Sequence, residues 1–321
     1  MTPGLGEEVV SPDEQALVAD FIAFLKNASL ARAGTGPVRR FNQTRSTGCV
    51  RAEFTVPDGL SAELRVGLFA NPGSFSGHIR FANATSESDK EQDIRGMSIK
   101  LTGVPGMNLM PGSTEVDFVL FSHPVMLAST AKDFLELLQA NEAGGVKRVA
   151  YFAKHPRSAL VATAAQAHHT CHLDIPYFSA TPYRFGAGKA VKYLVKPTSP
   201  RRSERPHHLT ENYLLDNMRN HLANGDATFD FCVQFQTDPD AMPIEDAMVE
   251  WHEKDSPARK VATIRIPSQA FESFEQMALA ENIAFNPWNA LQDNQPLGGM
   301  NRARRAIYTE LSKLRHAERI K

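Results

Sequence analysis

The 321-residue chain carries 35 Lys and Arg against 36 Asp and Glu, a formal charge of -1, so no global field selects nucleic acid or an anionic surface, and any functional charge must be local. With 42% hydrophobic and 22% charged residues it has the composition of a globular protein able to bury a large core, which excludes an intrinsically disordered chain. No apolar run approaches the roughly 20 residues of a membrane span, and the N-terminal MTPGLGEEVV has no basic segment leading into an apolar one, so a cytoplasmic protein is expected.

In chain order, Ser11-Pro12-Asp13-Glu14 has the form of a capping box with proline at the first helical position, and ALVADFIAFL continues with helical spacing. This predicts a helical arm within residues 1–36. After the break at ARAGTGPV, the β-rich runs CVRAEFTV (49–56), GHIRFAN (77–83), RGMSIKL (95–101) and DFVLFS (117–122) predict one antiparallel group. Helical patterns fill 131–165 and break at Pro156. Strands return at TPYRFG (181–186) and AVKYLVKP (190–197), a helix is predicted at 209–222, and strands at TFDFCVQF (228–235) and KVATIRI (260–266). A helix near 269–280, an irregular stretch 284–299 and a basic helix 301–321 end the chain. Many non-local strands with helices grouped in the middle and at the end predict a single α+β domain over 1–321, its sheet closed into a barrel.

Cys49, Cys171 and Cys232 are odd in number and widely spaced, which suits reduced, packed thiols better than a disulfide framework. The segment HHTCHLD gathers His168, His169, Cys171 and His172, a spacing that zinc accepts, but a fourth ligand is not identifiable and structural use is the expectation. PRRSERPHH is basic but lacks aromatics for stacking bases, so an exposed loop is expected and no nucleic acid.

The C-terminal helix is the most unusual element, because Arg304 and Tyr308 stand four apart and share a face. A tyrosine ordinarily titrates near about 10, so a phenolate ligand at neutral pH needs a cation beside it, and an arginine one turn away supplies one. At this point the sequence resembles the haem catalases and their shorter relatives, which include peroxidases and allene oxide synthases. The resemblance rests on AFNPWNAL, QPLGGMNRARRAIY, SKLRH, QDIRGMSIKL, GCVRAEFTV, DFVLFSHPV, KDFLELL, PYRFG and AVKYLV, which recur in family order between about Pro37 and His316.

The resemblance implies a catalase-like fold, haem b as cofactor, Tyr308 as proximal iron ligand and Arg304 as its charge partner. It implies further that Arg40, Arg95 and Arg315 hold the propionates and that Phe134 stacks near the haem. The family's distal histidine registers on Gln43, and a distal asparagine on Ser122, so both are replaced. An amide exchanges no proton at neutral pH, and general acid–base help commonly contributes on the order of 100- to 10,000-fold, so a fast hydrogen peroxide catalase is not expected. Two readings follow: a haem enzyme acting on an organic hydroperoxide, for example of a fatty acid, or a catalytically weak haem- or ligand-binding protein on the same fold. Arg45 and Arg51 are candidate partners for a substrate carboxylate, with solvation as the ordinary alternative. His123 would restore a distal base only if the strand register shifted by one residue. Substrate and oligomeric state are left open.

Overall fold

A computed structural model describes residues 3–317, so the last four residues of the predicted C-terminal helix lie outside the described residues. The first helix, α1 (Glu14–Ala33), starts where expected, but the predicted capping box does not form. Asp13 makes no side-chain cap, and the Glu14 carboxylate is drawn instead to Arg302, whose Nε and Nη2 each donate at 2.8 Å.

Four strands follow: β1 (Ser46–Val56), β2 (Gly73–Asn83), β3 (Arg95–Leu101) and β4 (Val116–Phe121). Three helices come next, α2 (Ala131–Ala143), α3 (Gly145–Lys154) and α4 (Pro156–Ala165). Thr130 caps α2 by accepting from the Asp133 N–H, Gly144 ends it at φ 61°, and Pro156 opens α4, where its missing N–H costs nothing. The two-residue strands β5 (Tyr177–Phe178) and β6 (Tyr183–Arg184) precede β7 (Ala190–Pro197), α5 (Tyr213–Ala223), β8 (Ala227–Phe235) and β9 (Arg259–Ile266). The chain closes with α6 (Phe274–Asn282), which has the capping box of Ser273 and Gln276, and α7 (Gly299–Ala317).

Neighbouring strands run β4-β3-β2-β1-β9-β8-β7, all antiparallel, and β5 pairs with both ends of that series. Phe121 pairs with Phe178 on one side, and Tyr177 and Phe178 pair with Val195 and Leu194 on the other. Eight strands thus close into an antiparallel barrel, while β6 pairs only with β7. Closure removes the exposed edges that an open sheet of this size would present.

Strand alternation divides the side chains between two cores. Phe54, Met97, Ile99, Phe118, Leu120, Tyr193 and Phe231 point inward, with the Phe118 and Phe231 rings 4.7 Å apart and Phe118 meeting Tyr193 edge-on at 5.1 Å. The barrel is filled, so a ligand must bind outside it. On the outer face of β2 to β4 lies a second core, built from Phe21 and Leu25 of α1, Leu135 and Leu138 of α2, and Ala303 and Ile307 of α7. Rather than an arm, α1 is a wall of this helical layer. No described helix is long and apolar enough to cross a membrane.

Candidate functional site

A cavity of about 540 Å³ opens between the outer face of β2 to β4 and the helical layer, within the size range of small-molecule sites. Gly96 and Ser98 of β3 and Val119 and Phe121 of β4 form its floor, and Phe21, Leu25 and Phe134 line it from α1 and α2. The Phe134 ring is tilted against that of Phe21, with 6.2 Å between centroids.

Helix α7 supplies the opposite wall. Met300, Arg304, Ile307, Tyr308, Leu311 and Arg315 recur at helical spacing and all face the cavity, so a single stripe carries both the phenol and two of the guanidiniums. Tyr308 is half-buried and makes no hydrogen bond among the described residues, which leaves its oxygen at the cavity surface. Arg304 is buried, with Nη1 donating to Thr181 Oγ1 at 3.3 Å and to Asn301 Oδ1 at 3.2 Å. Those bonds fix it one turn before Tyr308.

Among the described residues six arginines line the cavity: Arg39, Arg40, Arg80, Arg148, Arg304 and Arg315. Asp93 is the one carboxylate among the described lining residues, and its oxygens accept from the backbone N–H groups of Thr85, Ser86 and Ile94 at 2.8 to 2.9 Å; outside the lining, Glu281 pairs with Arg40 at 3.8 Å and Glu87 with Arg39 at 3.9 Å. Three of the guanidiniums gather at the C-terminal end of α6. Arg80 Nε donates to the Ala280 carbonyl at 3.0 Å, Arg40 Nη2 to Ile283 at 2.6 Å, and Arg315 to both Glu281 and Ile283. A helix C-terminus presents unsatisfied carbonyls and the negative end of its dipole, which explains why cations collect there. Burial lowers the pKa of Arg80 to about 10, so it remains a cation at neutral pH. The occupant this wall suits is an anion, or a molecule with acidic groups at one edge.

Gln43 faces the same cavity from the segment before β1, at φ 55°. A non-glycine residue in the left-handed region is strained, and its surroundings impose the conformation: its N–H donates to the Ala84 carbonyl at 2.8 Å and its own carbonyl accepts from Arg80 at 2.9 Å. Its amide packs on β3 where only a glycine leaves room, since a Cβ at Gly96 would lie 2.5 Å from Nε2.

Of the residues expected at the site, Tyr308, Arg304, Arg315, Arg40, Phe134 and Gln43 converge on this cavity, whereas Arg95 and Ser122 do not line it. Gly96 and Ser98 point to the cavity, so alternation sends Arg95 the other way, to a fully buried position where it donates to Asn83 Oδ1 at 2.5 Å and the Glu91 carbonyl at 2.8 Å. Ser122 follows Phe121 and likewise turns away; its Oγ accepts from the Arg95 N–H at 2.9 Å. Arg80, which the sequence reading did not single out, lines the cavity where Arg95 does not. Its signal was an arginine in the middle of an otherwise apolar strand, GHIRFAN.

His123 also stays outside the cavity, half-buried near Glu250, with its pKa lowered by desolvation. Arg45 pairs with Asp89 at 3.0 Å and Asn212 at 2.6 Å, and Arg51 sits exposed on β1, so neither reaches a ligand there. The HHTCHLD segment spreads its side chains, with His168 exposed and His169 half-buried. His172 and Cys171 are buried, His172 Nδ1 lies 3.0 Å from the Tyr177 hydroxyl, burial pushes the Cys171 thiol up to about 12, and no group of three metal-ligating side chains forms among the described residues. All three cysteines are free and buried.

No protein-family model and no curated protein sequence matches this chain. Solved structures match it in fold. A bacterial catalase aligns with a TM-score of 0.66 at 16% identity, covering 98% of this chain and 63% of that one. A fungal catalase aligns at 0.70 and 15%, covering 98% and 65%, and catalase A from Saccharomyces cerevisiae at 0.68 and 16%, covering 98% and 67%. This chain therefore spans about two thirds of the length of the catalases it matches. At such identities the shared property is the architecture, and the closed eight-stranded barrel with its flanking helices is a catalase-like fold.

Proposed function

We propose that the cavity binds haem b, with Tyr308 as the iron ligand, and that the holoprotein transforms an organic hydroperoxide rather than dismuting hydrogen peroxide rapidly. The observation that carries this reading is the donor set: one phenol on α7, three guanidiniums at the end of α6, and an apolar floor between them, all on one cavity. That set fits a flat apolar macrocycle with two carboxylates at one edge. Arg40, Arg80 and Arg315 would pair with the propionates, Phe134 would pack beside the ring, and Arg304 would stabilise negative charge on the ligand oxygen.

When bound, haem supplies redox chemistry at a peroxide O–O bond. The chain's own contribution on the open side is limited to orientation. Gln43 can donate to and accept from a bound peroxide, but no histidine, lysine, cysteine or glutamate lines the cavity among the described residues, and Asp93 is already occupied by backbone donors. Proton transfer between the two peroxide oxygens thus lacks a side-chain base, the step on which fast hydrogen peroxide turnover depends. The same lack of a base supports a second reading, a haem- or ligand-binding protein with little turnover.

Reconstitution with haemin tests the cofactor: a Soret band with phenolate charge-transfer features is expected, and Tyr308→Phe should abolish those features. Failure to take up haemin would sink both readings. Oxygen release from hydrogen peroxide, measured beside consumption of a fatty acid hydroperoxide, separates them. Selective loss of the organic peroxide supports the enzyme, and inertness toward both supports the binder.

A further inference from the structure

An amphipathic helix ordinarily turns its apolar stripe to the core. In α3 the reverse holds. Val146, Val149, Ala150 and Ala153 fall on one side by helical spacing and all are exposed, Val146 at 85% and Val149 at 69%; Leu160 of α4 adds a further aliphatic side chain at 73%. Cations accompany the stripe. Residues 145–165 contain Lys147, Arg148, Lys154 and Arg157 and no Asp or Glu, in a chain whose charges otherwise balance. Arg157 pairs with Asp246 at 3.1 Å, but Lys147, Arg148 and Lys154 are in no ion pair among the described residues.

Arg148 and Phe152, on the other side of α3 from the stripe, line the cavity together with Ala162 of α4 and the adjoining Gln166. We propose that α3 and α4 seat this protein on an anionic lipid bilayer, with the aliphatic stripe in the headgroup–acyl boundary and Lys147 and Lys154 against lipid phosphates. Charge complementarity selects this occupant. Exposed aliphatic side chains edged by lysine, with no acidic group, match the cation-flanked apolar face of an interfacial helix, whereas protein interfaces centre on Trp, Tyr or Arg set in pockets, which this stripe lacks. Docking does not depend on the cavity holding haem.

The experiment is co-sedimentation of the full chain with phosphatidylcholine vesicles and with vesicles that also contain phosphatidylglycerol. Pelleting with the anionic vesicles, weakened by added salt, is expected. Joint replacement Lys147→Gln and Lys154→Gln should lower partitioning about 30-fold, from the usual contribution of each cation near an anionic surface. Val146→Ser with Val149→Ser should abolish it. Both pairs are exposed, and circular dichroism melts confirm that the variants fold. The proposal is overturned if the chain does not pellet with anionic vesicles, or if both double variants pellet as the parent does. It is equally overturned if sedimentation velocity shows a dimer that the valine variant dissociates, since a second copy would then cover the stripe.

Discussion

Arg80 donates from Nη2 to the backbone carbonyl of Gln43 at 2.9 Å, which ties a buried cation in the cavity wall to a lining residue held at positive φ. A side chain on β2 thereby dictates how the preceding loop presents its amide. Arg80→Met would leave the carbonyls of Gln43 and Ala280 without this donor, and a loss of about 1–3 kcal/mol is expected. Denaturant unfolding of the apoprotein measures it, and haemin titration should show weaker uptake. Unaltered values in both would remove Arg80 from the site.

Gly96 gives a second handle on the same residue. Because an added Cβ would lie 2.5 Å from Gln43 Nε2, Gly96→Ala must displace that amide, and since the displaced atoms end a flexible side chain the cost should stay below about 1 kcal/mol. In a Gln43→Gly background the obstruction is gone, so the penalty should shrink. Additive penalties across the double-mutant cycle would contradict the contact.

Gln43→His places a titratable ring where the amide faces the cavity, and histidine tolerates the left-handed backbone better than most side chains. Oxygen evolution from hydrogen peroxide should rise by on the order of 100-fold or more in the haem-loaded variant. The gain should fade below about pH 6.5, where the ring is protonated and no longer a base. An unchanged rate at neutral pH would show that position 43 does not meet the peroxide.

Lys192 makes a prediction about stability. It is buried, donates to the Val249 carbonyl at 2.9 Å and lies 4.9 Å over the Trp251 ring, and burial lowers its pKa from 10.5 to about 7. Between those values the unfolded chain holds a proton that the folded chain has released. Stability should therefore rise with pH from about 7 toward 10.5, by up to about 1.4 kcal/mol per pH unit, and this contribution is lost as pH falls through 7. Unfolding free energies at several pH values should show the rise in the parent but not in Lys192→Met. Parallel profiles would refute it.

Local pattern carried most of the architecture into view. RGMSIKL became β3 without change, Pro156 divided two helices as expected, and the four-residue spacing of Arg304 and Tyr308 set them on one cavity wall. What stayed hidden depends on neighbours. β5 is only two residues flanked by turns and exists because β4 and β7 both pair with it, which no local propensity announces. Arg95 and Arg80 are equally plausible anion partners as letters; the pleat sends one to the cavity and the other away from it. Glu14 completes a capping motif on paper, yet Arg302, far along the chain, binds its carboxylate instead.

The two-residue strand β5 also has a kinetic consequence. Six pairings of three or more residue pairs each hold the rest of the barrel, but the ring closes through Phe121 with Phe178 on one side and two residue pairs on the other. A seam secured by so few pairs is the natural place for the barrel to open transiently, so amide hydrogens of Tyr177 and Phe178 should exchange with solvent well before those of β1 and β2. Opening there would also loosen the end of β4, whose Phe121 forms part of the cavity floor, making the seam a breathing point for the pocket as well as for the barrel.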